Sequence, residues 1–236
     1  FTWETVRTIN FGVDVKMLKN RLASSFDIYS RETLGMLESG VALPALLGTG
    51  APEQNSADLK TTGWEFEVSW NDRIGEFSYN VGATLFDSKA KITKFNSETG
   101  IIGQNYVGRE LGEIWGYVTE GYYSVDDFVP GSLDDDLRNG TLIEGLAIPK
   151  GRTINPGDVK YADLNNDGEI FTGNNTLEAA IDPETGEVIP GTGPGDRKII
   201  GNSTRRYQYG LFANAEYKGF DFSLMLNGVG KRDIYI

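Results

Sequence analysis

Apolar and polar residues alternate with period two in several stretches of the chain. From Thr8 to Met17 every second residue is apolar, and the alternation resumes after the polar pair Lys19 and Asn20. This period is that of a β-strand with one apolar and one polar face. Because a short polar turn separates the two stretches, residues 5–31 are predicted to form a β-hairpin.

The same pattern occurs twice more. Residues 64–70 and 77–85 alternate on either side of a short polar turn, and residues 207–217 and 220–226 do so around Lys218. These runs reach about eleven residues, whereas strands of globular sheets usually have five or six. The pattern therefore predicts three long hairpins with tight turns, or six strands in all.

The segments between the hairpins are long. Residues 32–58 are rich in Gly, Ala and Pro, and residues 96–203 form an acidic excursion. Outer-membrane barrels combine short turns on one side with long extracellular loops. The sequence thus predicts an all-β, antiparallel transmembrane β-barrel fragment: hairpins 1 and 2 in 1–95 with an extracellular loop at 32–58, a long extracellular excursion at 96–203, and hairpin 3 in 204–236.

A soluble antiparallel sandwich is the alternative fold, because its strands also alternate between a packed face and a wet face. Strand length favours the barrel. In a barrel, side chains such as Asp14, Glu65 and Glu67 face a polar lumen. In a sandwich, Phe11 and Phe66 would instead pack in a dry interior, so the burial of these two residues distinguishes the folds.

Composition excludes several kinds of chemistry. The chain has no Cys and no His, which removes thiol nucleophiles, Cys/His zinc sites and imidazole catalysis. Its formal net charge of −12 argues against nucleic acid or anionic lipid as a partner. The adjacent acids Asp126–Asp127 and Asp134–Asp136 are typical of solvated loops, since nothing indicates two carboxyl groups held across a cleft. No enzymatic activity is expected.

Five segments of the chain have a distinctive order and spacing. They are WETVRTINFGVDVKMLKNRLASSFDIYSRET, TTGWEFEVSW, VGRELGEIWGYVTEGYY, PGDVKYADLNNDGEI and YGLFANAEYKGFDFSLMLNGVGKRD. Together they span nearly the whole chain, and in sequence, order and spacing they resemble the C-terminal barrel half of SusC/RagA-type TonB-dependent outer-membrane transporters.

The resemblance implies an importer in the outer membrane of a Gram-negative cell, surrounded by outer-membrane lipid. This chain would supply about six strands of a 22-stranded barrel with an N-terminal plug. It also implies a SusD-like lipoprotein over the extracellular face, energy supplied through TonB, and oligosaccharides or peptides as substrates. The alternative function is that of a soluble, calcium-dependent carbohydrate-binding β-sandwich.

One segment has the spacing of a calcium loop. Asp163, Asn165 and Asp167 offer oxygen atoms at positions 1, 3 and 5, and the backbone carbonyl of Glu169 follows. Position 12 is an asparagine, which cannot replace the usual bidentate acid. In the family resemblance, Asp196 before the IIG-like strand would close a Ca²⁺ site. The alternative is a solvated Asx-rich turn without a metal.

Four aromatic residues in the excursion are candidates for contact with a substrate or a partner. They are Trp115, Tyr117, Tyr122 and Tyr123. Such side chains stack on sugar rings or pack against another protein, but they also build the small core of a loop. The alternation in residues 114–118 is that of an ordinary strand and favours packing.

Overall fold

A computed structural model describes residues 2–39, 52–96 and 100–235. The chain divides into two compact units. The first, here named the sheet unit, comprises Phe1–Asn96, Tyr106–Gly112 and Asn202–Ile236. The second, the loop unit, comprises Ser97–Asn105 and Glu113–Gly201. Each unit is described by itself.

The strands of the described residues differ widely in length. In chain order they are β1 (Thr5–Met17), β2 (Leu22–Ser39), β3 (Glu53–Ile74), β4 (Phe77–Lys94), β5 (Glu113–Tyr117), β6 (Thr119–Tyr122), β7 (Ile148–Pro149), β8 (Val159–Tyr161), β9 (Glu169–Ile170), β10 (Arg197–Asn202), β11 (Arg206–Tyr217) and β12 (Phe220–Lys231).

The sheet unit contains one six-stranded antiparallel sheet in the order β1-β2-β3-β4-β11-β12. Its three tight turns use backbone conformations with positive φ. Lys218 and Gly219 have φ values of 49° and 85°, the combination of a two-residue type I′ hairpin turn. Residues 18–20 and Gly75 also have positive φ. The three predicted hairpins and the all-β, antiparallel fold are confirmed.

The strands are longer than the alternation predicted. Residues 32–58 were expected to be a loop, but β2 continues to Ser39 and β3 already begins at Glu53. The pairing of β2 with β3 shifts register between Thr33 and Met36, next to Gly35 at φ 67°. Such an irregularity interrupts the period-two alternation, so the sequence pattern does not show that the strand continues. The remaining residues of this loop, 40–51, lie outside the described residues.

Part of the predicted excursion belongs to the sheet unit. Residues 106–112 pair with the end of β4, where the amide of Ile92 donates to the carbonyl of Arg109 at 2.9 Å. The division into barrel regions and an extracellular excursion stays a prediction, because compactness alone does not place a segment on either side of a membrane.

The loop unit is built from short strands and turns. β5 pairs with β10, β6 with β8, and β7 with β9, and a 3-10 turn covers Val125–Asp127. Its core consists of Tyr123, Phe128 and Ile154, with three leucines packed around them. Among the residues described, none forms a helix with the length and apolar character that crossing a membrane would require.

Candidate functional site

One face of the six-stranded sheet is apolar and exposed, and is named here the apolar face. Directly opposite residues of paired strands share a face, so the register of the sheet aligns the side chains of this face into continuous rows. Its exposed members are Ile9, Phe11, Val13 and Val15 on β1, Phe26 and Ile28 on β2, Phe66 on β3, Val81 on β4, Tyr209, Leu211 and Tyr217 on β11, and Phe222, Leu224 and Leu226 on β12.

Exposure of this face decides between the two predicted folds. Phe11, Phe66 and Leu224 are 66%, 37% and 44% exposed. A sandwich would bury these side chains against a second sheet, so the sandwich alternative is wrong. A contiguous apolar surface spanning six strands is far larger than the patches that soluble monomers expose, and such surfaces mark contact with a partner or a membrane.

Aromatic residues lie near the ends of the strands on this face. At the end with the tight turns, the indole N–H of Trp70 donates to the hydroxyl of Tyr79 at 3.3 Å. The ring of Tyr79 stacks on Phe77 with 5.7 Å between centroids. Rings with a polar atom at one edge suit a boundary between an apolar medium and water.

The opposite face, named the polar face, carries amides and charges. Asn80 donates to the side-chain oxygen of Asn71, Asn214 donates to Asn80 at 3.5 Å, and Ser223 donates to Asn214 at 2.8 Å. This amide ladder crosses four neighbouring strands at one level. It lines a cavity of about 670 Å³ whose charged groups include Glu216.

The amide ladder is absent from the sequence-based candidates. Asn71, Asn80 and Asn214 each lie at a polar position of an alternating strand, and the alternation gives their face correctly. Their alignment at one level depends on the register across β3, β4 and β11. A single sequence does not contain that register, because β4 and β11 are separated by more than a hundred residues.

A buried ion pair marks the end of the apolar face away from the tight turns. Asp87 is the next residue after Leu85 on the same face of β4, and its carboxylate accepts a hydrogen bond from Arg206 Nε at 2.6 Å. The amide of Tyr207 donates to the same carboxylate at 3.2 Å. Asp87 is buried although it continues an apolar row. Each charge of the pair has a hydrogen-bonding partner of opposite charge, as a buried charge requires.

The predicted calcium-loop residues form one compact Asx-type turn. Asp163 accepts from the amides of Asn166 at 2.6 Å and Gly168 at 2.8 Å. The amide of Asp167 donates to the side chain of Asn165 at 3.0 Å, and the side chain of Asp167 accepts from the amide of Glu169 at 2.8 Å. The side chain of Glu169 forms a salt bridge with Lys150 at 2.8 Å.

Asp196 joins this turn from a distant point in the chain. Its carboxylate is fully buried and accepts from the amides of Leu164 and Phe171, each at 2.9 Å. Between the turn and Asp196, residues 181–188 form a hairpin, with the amide of Gly186 donating to the carbonyl of Asp182 at 2.8 Å.

Burial and neighbouring negative charge shift the pKa of the Asp196 carboxyl in one direction, and its hydrogen bonds shift it in the other. Desolvation raises the pKa of its carboxyl, the two backbone N–H donors lower it, and the negative charges of Asp163 and Asp167 raise it further. The net pKa is raised. Among the described residues no three acidic side chains converge in an arrangement that would hold a metal ion. Calcium binding stays a prediction.

The four candidate aromatic residues have different environments. Tyr122 is 71% exposed, and Trp115 and Tyr117 are half-buried. The indole of Trp115 donates to Glu113 at 3.0 Å, and Tyr117 contacts the ring of Tyr161 at 5.0 Å. These three stay candidates for contact with a substrate or partner.

Tyr123 was predicted as a contact residue, and this assignment is wrong. Its side chain is 2% exposed and lies at the centre of the loop-unit core. Its hydroxyl donates to the carbonyl of Ala147 at 2.9 Å. Burial raises the pKa of the Tyr123 hydroxyl. The alternation in the sequence indicated packing for this segment but did not separate Tyr123 from its neighbour Tyr122.

Comparison with known proteins gives consistent relatives over almost the whole chain. TonB-dependent receptor P3 of Formosa agariphila is 28% identical over 236 residues, covering 94% of this chain and 20% of the relative. TonB-dependent receptor P39 of the same organism is 24% identical over 257 residues, covering 99% and 22%. No protein-family model matches the chain.

Solved structures agree with these relatives in fold. The RagAB peptide importer in its closed-closed state superposes with a TM-score of 0.56 at 18% identity, covering 97% of this chain and 21% of that one. The predicted resemblance to SusC/RagA-type TonB-dependent receptors is confirmed. The open-open state of the same importer gives a TM-score of 0.56 at 16% identity. The fold of the chain is therefore that of a barrel fragment of such a receptor.

The chain spans about a fifth of the length of the curated relatives it matches. These relatives are named as receptors, and the similar structures are those of an importer. The chain itself supplies six strands to one sheet. The total of 22 strands in the complete barrel stays a prediction.

Proposed function

We propose that this chain forms part of the wall of a TonB-dependent importer in the bacterial outer membrane. The observation that carries the proposal is the two-faced sheet, with an exposed apolar face on one side and the amide ladder and charges on the other. In a membrane barrel the apolar face contacts lipid and the polar face lines a watery lumen.

The height of the apolar face supports this proposal. On β4 it extends from Phe77 to Leu85 and ends at the Asp87 ion pair. Eight residues of antiparallel strand span about 27 Å along the strand. Tilted by about 40°, the strand rises about 20 Å across a membrane, close to the ~25 Å apolar band of outer-membrane barrels.

The whole protein is proposed to import oligosaccharides or peptides. The similar RagAB is a peptide importer, and this favours peptides among the two classes. A SusD-like lipoprotein is proposed to cover the extracellular side, where the loop unit would also lie. TonB would act through parts of the protein outside this chain. Exposed Tyr122 is then a candidate contact for the lipoprotein or the substrate.

Cysteine labelling tests the two-faced barrel directly, because the chain has no cysteine of its own. Single substitutions Phe66→Cys and Leu226→Cys on the apolar face are compared with Glu67→Cys and Asn227→Cys, their neighbours on the polar face. The full-length protein, with any cysteine outside this chain replaced by serine, is labelled with a fluorophore and reconstituted into lipid vesicles. Brominated lipid should quench the first pair, and a water-soluble quencher should quench the second.

Equal quenching of all four labels by the water-soluble agent would contradict the proposal. Transport is tested separately, by uptake of labelled peptides or oligosaccharides in cells that lack or carry the gene. Uptake that does not depend on the protein would remove the import function but leave the barrel intact.

We further propose that Ca²⁺ binds the turn of Asp163, Asn165, Asp167 and Glu169. Support comes from the oxygen-rich turn and from Asp196, which reaches it from more than thirty residues away and is fully buried there. Hard cations prefer such carboxylate, amide and carbonyl oxygens. The ion would balance the three neighbouring acids and stiffen the loop unit.

Thermal unfolding with added Ca²⁺ or with chelator tests this second proposal. The wild type should unfold at a higher temperature with Ca²⁺, since a ligand that binds only the folded state stabilises it. Asp167→Asn should reduce this shift. Asp134→Asn, another acidic turn residue of the loop unit, should keep it. No difference between Ca²⁺ and Mg²⁺ or chelator would refute the site.

A further inference from the structure

Four apolar side chains lie on the polar face of the sheet, where the alternation would place polar ones. Phe86 is directly opposite Gln208, and Gln208 is directly opposite Val229. Phe212 is directly opposite Met225 and lies four residues beyond Gln208 on β11. Opposite residues of paired strands share a face, and so do alternate residues of one strand. These four side chains, Phe86, Phe212, Met225 and Val229, are named the inner patch.

The sheet itself does not bury the inner patch. Met225, Val229 and Phe86 are 72%, 42% and 39% exposed. In the proposed barrel this face lines the watery lumen, so lipid does not cover these side chains either. Neighbouring apolar side chains that stay exposed mark contact with a ligand or a partner. The inner patch therefore needs an occupant other than the lipid of the apolar face.

The centre of the inner patch is shallow and carries two hydrogen-bond acceptors. A Cβ atom on Gly210 would lie 2.8 Å from Thr84 Oγ1 and 3.2 Å from Asn227 Oδ1, so these two oxygens converge over the glycine. The ring of Phe212 lies flat across Gly82, where any Cβ atom would overlap it. A flat apolar surface with exposed oxygen acceptors suits an extended ligand that has both apolar groups and N–H donors.

Four carboxylates border the inner patch on the same face. Glu65 is directly opposite Phe86, and Asp27 is directly opposite Glu65. The other two lie in the next row toward the tight turns, one on each side of Ser25. The four carboxylates, Asp14, Asp27, Glu65 and Glu67, are named the acidic block.

The acidic block gives this part of the polar face a negative charge. None of its carboxylates forms a salt bridge with another residue that the structure describes. The block and the inner patch occupy three neighbouring rows of the sheet, and Lys16 is the basic residue of these rows. Four negative charges beside one positive charge attract a cationic ligand and repel an anionic one.

We propose that the inner patch and the acidic block together bind a cationic peptide as it passes through the barrel. The proposal rests on the proposed import function and names the substrate class. Apolar side chains of the peptide cover Phe86 and Met225, and its backbone N–H groups donate to Thr84 and Asn227. Its lysine or arginine side chains reach the acidic block. A neutral oligosaccharide offers no positive charge, so charge complementarity selects the peptide.

The size of the surface sets the length of the peptide. The two neighbouring rows that contain Glu67 and Glu65 each cross all six strands. Five strand spacings of about 4.8 Å amount to about 24 Å, and an extended chain rises about 3.4 Å per residue. A peptide of about seven residues therefore reaches from the acidic block to the far side of the inner patch.

Photo-cross-linking in cells that carry the full-length protein tests contact with the inner patch. Met225 is replaced by p-benzoylphenylalanine, and the probe is a biotinylated seven-residue peptide of lysine and leucine. The same replacement at Leu226, the next residue on the apolar face, is the control. The probe should cross-link at position 225, lose the cross-link to excess unlabelled peptide, and not cross-link at position 226.

Two results of this experiment would overturn the proposal. Cross-links from position 225 only to other parts of the same protein, unchanged by saturating peptide, would show that the inner patch is covered from within the molecule. Equal cross-linking of a peptide in which glutamate replaces lysine would show that the acidic block does not select the charge of the ligand.

Uptake of the lysine–leucine peptide measures what each half of the surface contributes. Phe86→Ser/Met225→Ser should lower uptake by about tenfold, because it removes the apolar area that the peptide covers. Glu65→Gln/Glu67→Gln should lower it by about threefold for each carboxylate removed. The conservative variants Phe86→Leu/Met225→Leu and Glu65→Asp/Glu67→Asp should retain uptake. Immunoblots of outer-membrane fractions correct each value for the amount of protein.

A control variant on the same face tests position. Glu216→Gln/Asp221→Asn also removes two negative charges, but in a row next to the tight turns. It should leave uptake of the lysine–leucine peptide unchanged. A loss equal to that of Glu65→Gln/Glu67→Gln would show an effect of overall charge and would overturn the assignment of the site.

These measurements separate the inference from the proposed import function. If peptide uptake depends on the protein but the substitutions in the inner patch and the acidic block leave it unchanged, the inference alone fails. If uptake does not depend on the protein, the import function fails and the inference fails with it.

Discussion

The sheet unit and the loop unit place their large apolar side chains in opposite environments. In the sheet unit, residues such as Phe11 and Leu226 are exposed along one face. In the loop unit, Tyr123, Phe128 and Ile154 pack together and are buried. The loop unit also holds most of the acidic surplus. The loop unit thus packs its apolar side chains within itself, whereas those of the sheet would be covered by lipid in the proposed barrel.

This contrast explains why the two units follow different rules. A membrane strand needs no core of its own, because lipid covers its apolar face. A solvated excursion must bury apolar groups locally to offset the entropy of ordering its backbone. The four predictions below test this contrast, in order of decreasing effect.

Removing the buried phenyl ring of Phe128 from the loop-unit core should have the strongest effect. Phe128→Ala should destabilise the loop unit by about 3–5 kcal/mol, because it removes a buried aromatic ring and leaves a cavity. Hydrogen exchange should accelerate in residues 120–160 and stay unchanged in β1 and β2. Val129→Ala, at an exposed neighbouring position, is the control. Equal acceleration in the six long strands would show that the units do not respond separately.

A charge on the apolar face should destabilise the sheet only when it meets lipid. Leu226→Arg is expected to lower the free energy of unfolding in lipid vesicles by about 2–4 kcal/mol, whereas Asn227→Arg, the next residue on the polar face, should have little effect. Urea titrations of the reconstituted protein measure both. Similar losses in the two variants would contradict the assignment of faces.

Removing the buried carboxylate of Asp196 should destabilise the loop unit by a smaller amount. Asp196→Ala leaves the amides of Leu164 and Phe171 without their acceptor, and an unpaired buried donor costs about 1–3 kcal/mol. Relief of repulsion from Asp163 and Asp167 offsets part of this loss. Differential scanning calorimetry is the measurement. Lys198→Ala, an exposed change two residues away on β10, should be neutral. A neutral Asp196→Ala would show that the carboxylate does not hold the turn.

The smallest effect is expected at the 3-10 turn. The amide of Ser124 donates to Asp127 at 2.7 Å, and this hydrogen bond, helped by Lys160, lowers the pKa of the Asp127 carboxyl. A lowered pKa stabilises the fold above about pH 4, the ordinary range of an aspartate, and this contribution disappears as the pH falls through the lowered value.

Asp127→Asn should therefore cost less than about 1 kcal/mol at neutral pH and nothing in strong acid. Stability curves of the variant and the wild type, measured against pH, should converge on the acid side. A difference that persists at low pH would mean that packing, rather than charge, is responsible.

Period two was sufficient to predict the three hairpins of the sheet unit. The three hairpins and their tight turns follow from local alternation. So does the face on which a residue such as Phe66 or Glu67 lies, because successive side chains of a strand point to opposite faces. The same rule failed at residues 32–39, where an irregularity beside Gly35 breaks the alternation while the strand continues.

The candidate site was predictable only in part. The spacing of Asp163, Asn165 and Asp167 indicated an Asx-rich turn, and the structure has one. By contrast, Tyr122 and Tyr123 are equivalent by composition, and only the packing of the loop unit separates an exposed ring from a buried one. Burial in an irregular segment depends on distant residues such as Ile154, so local sequence does not determine it.

The sequence by itself determined which side chains share a face and where the tight turns lie, since both depend on neighbours a few residues apart. Only the tertiary structure decided what stands side by side across strands: the amide ladder of Asn71, Asn80 and Asn214, and the level shared by Lys60 and Lys91. Register between strands is a non-local quantity. It depends on the connections between the strands and on how the apolar and polar faces of neighbouring strands match. No single segment contains that information.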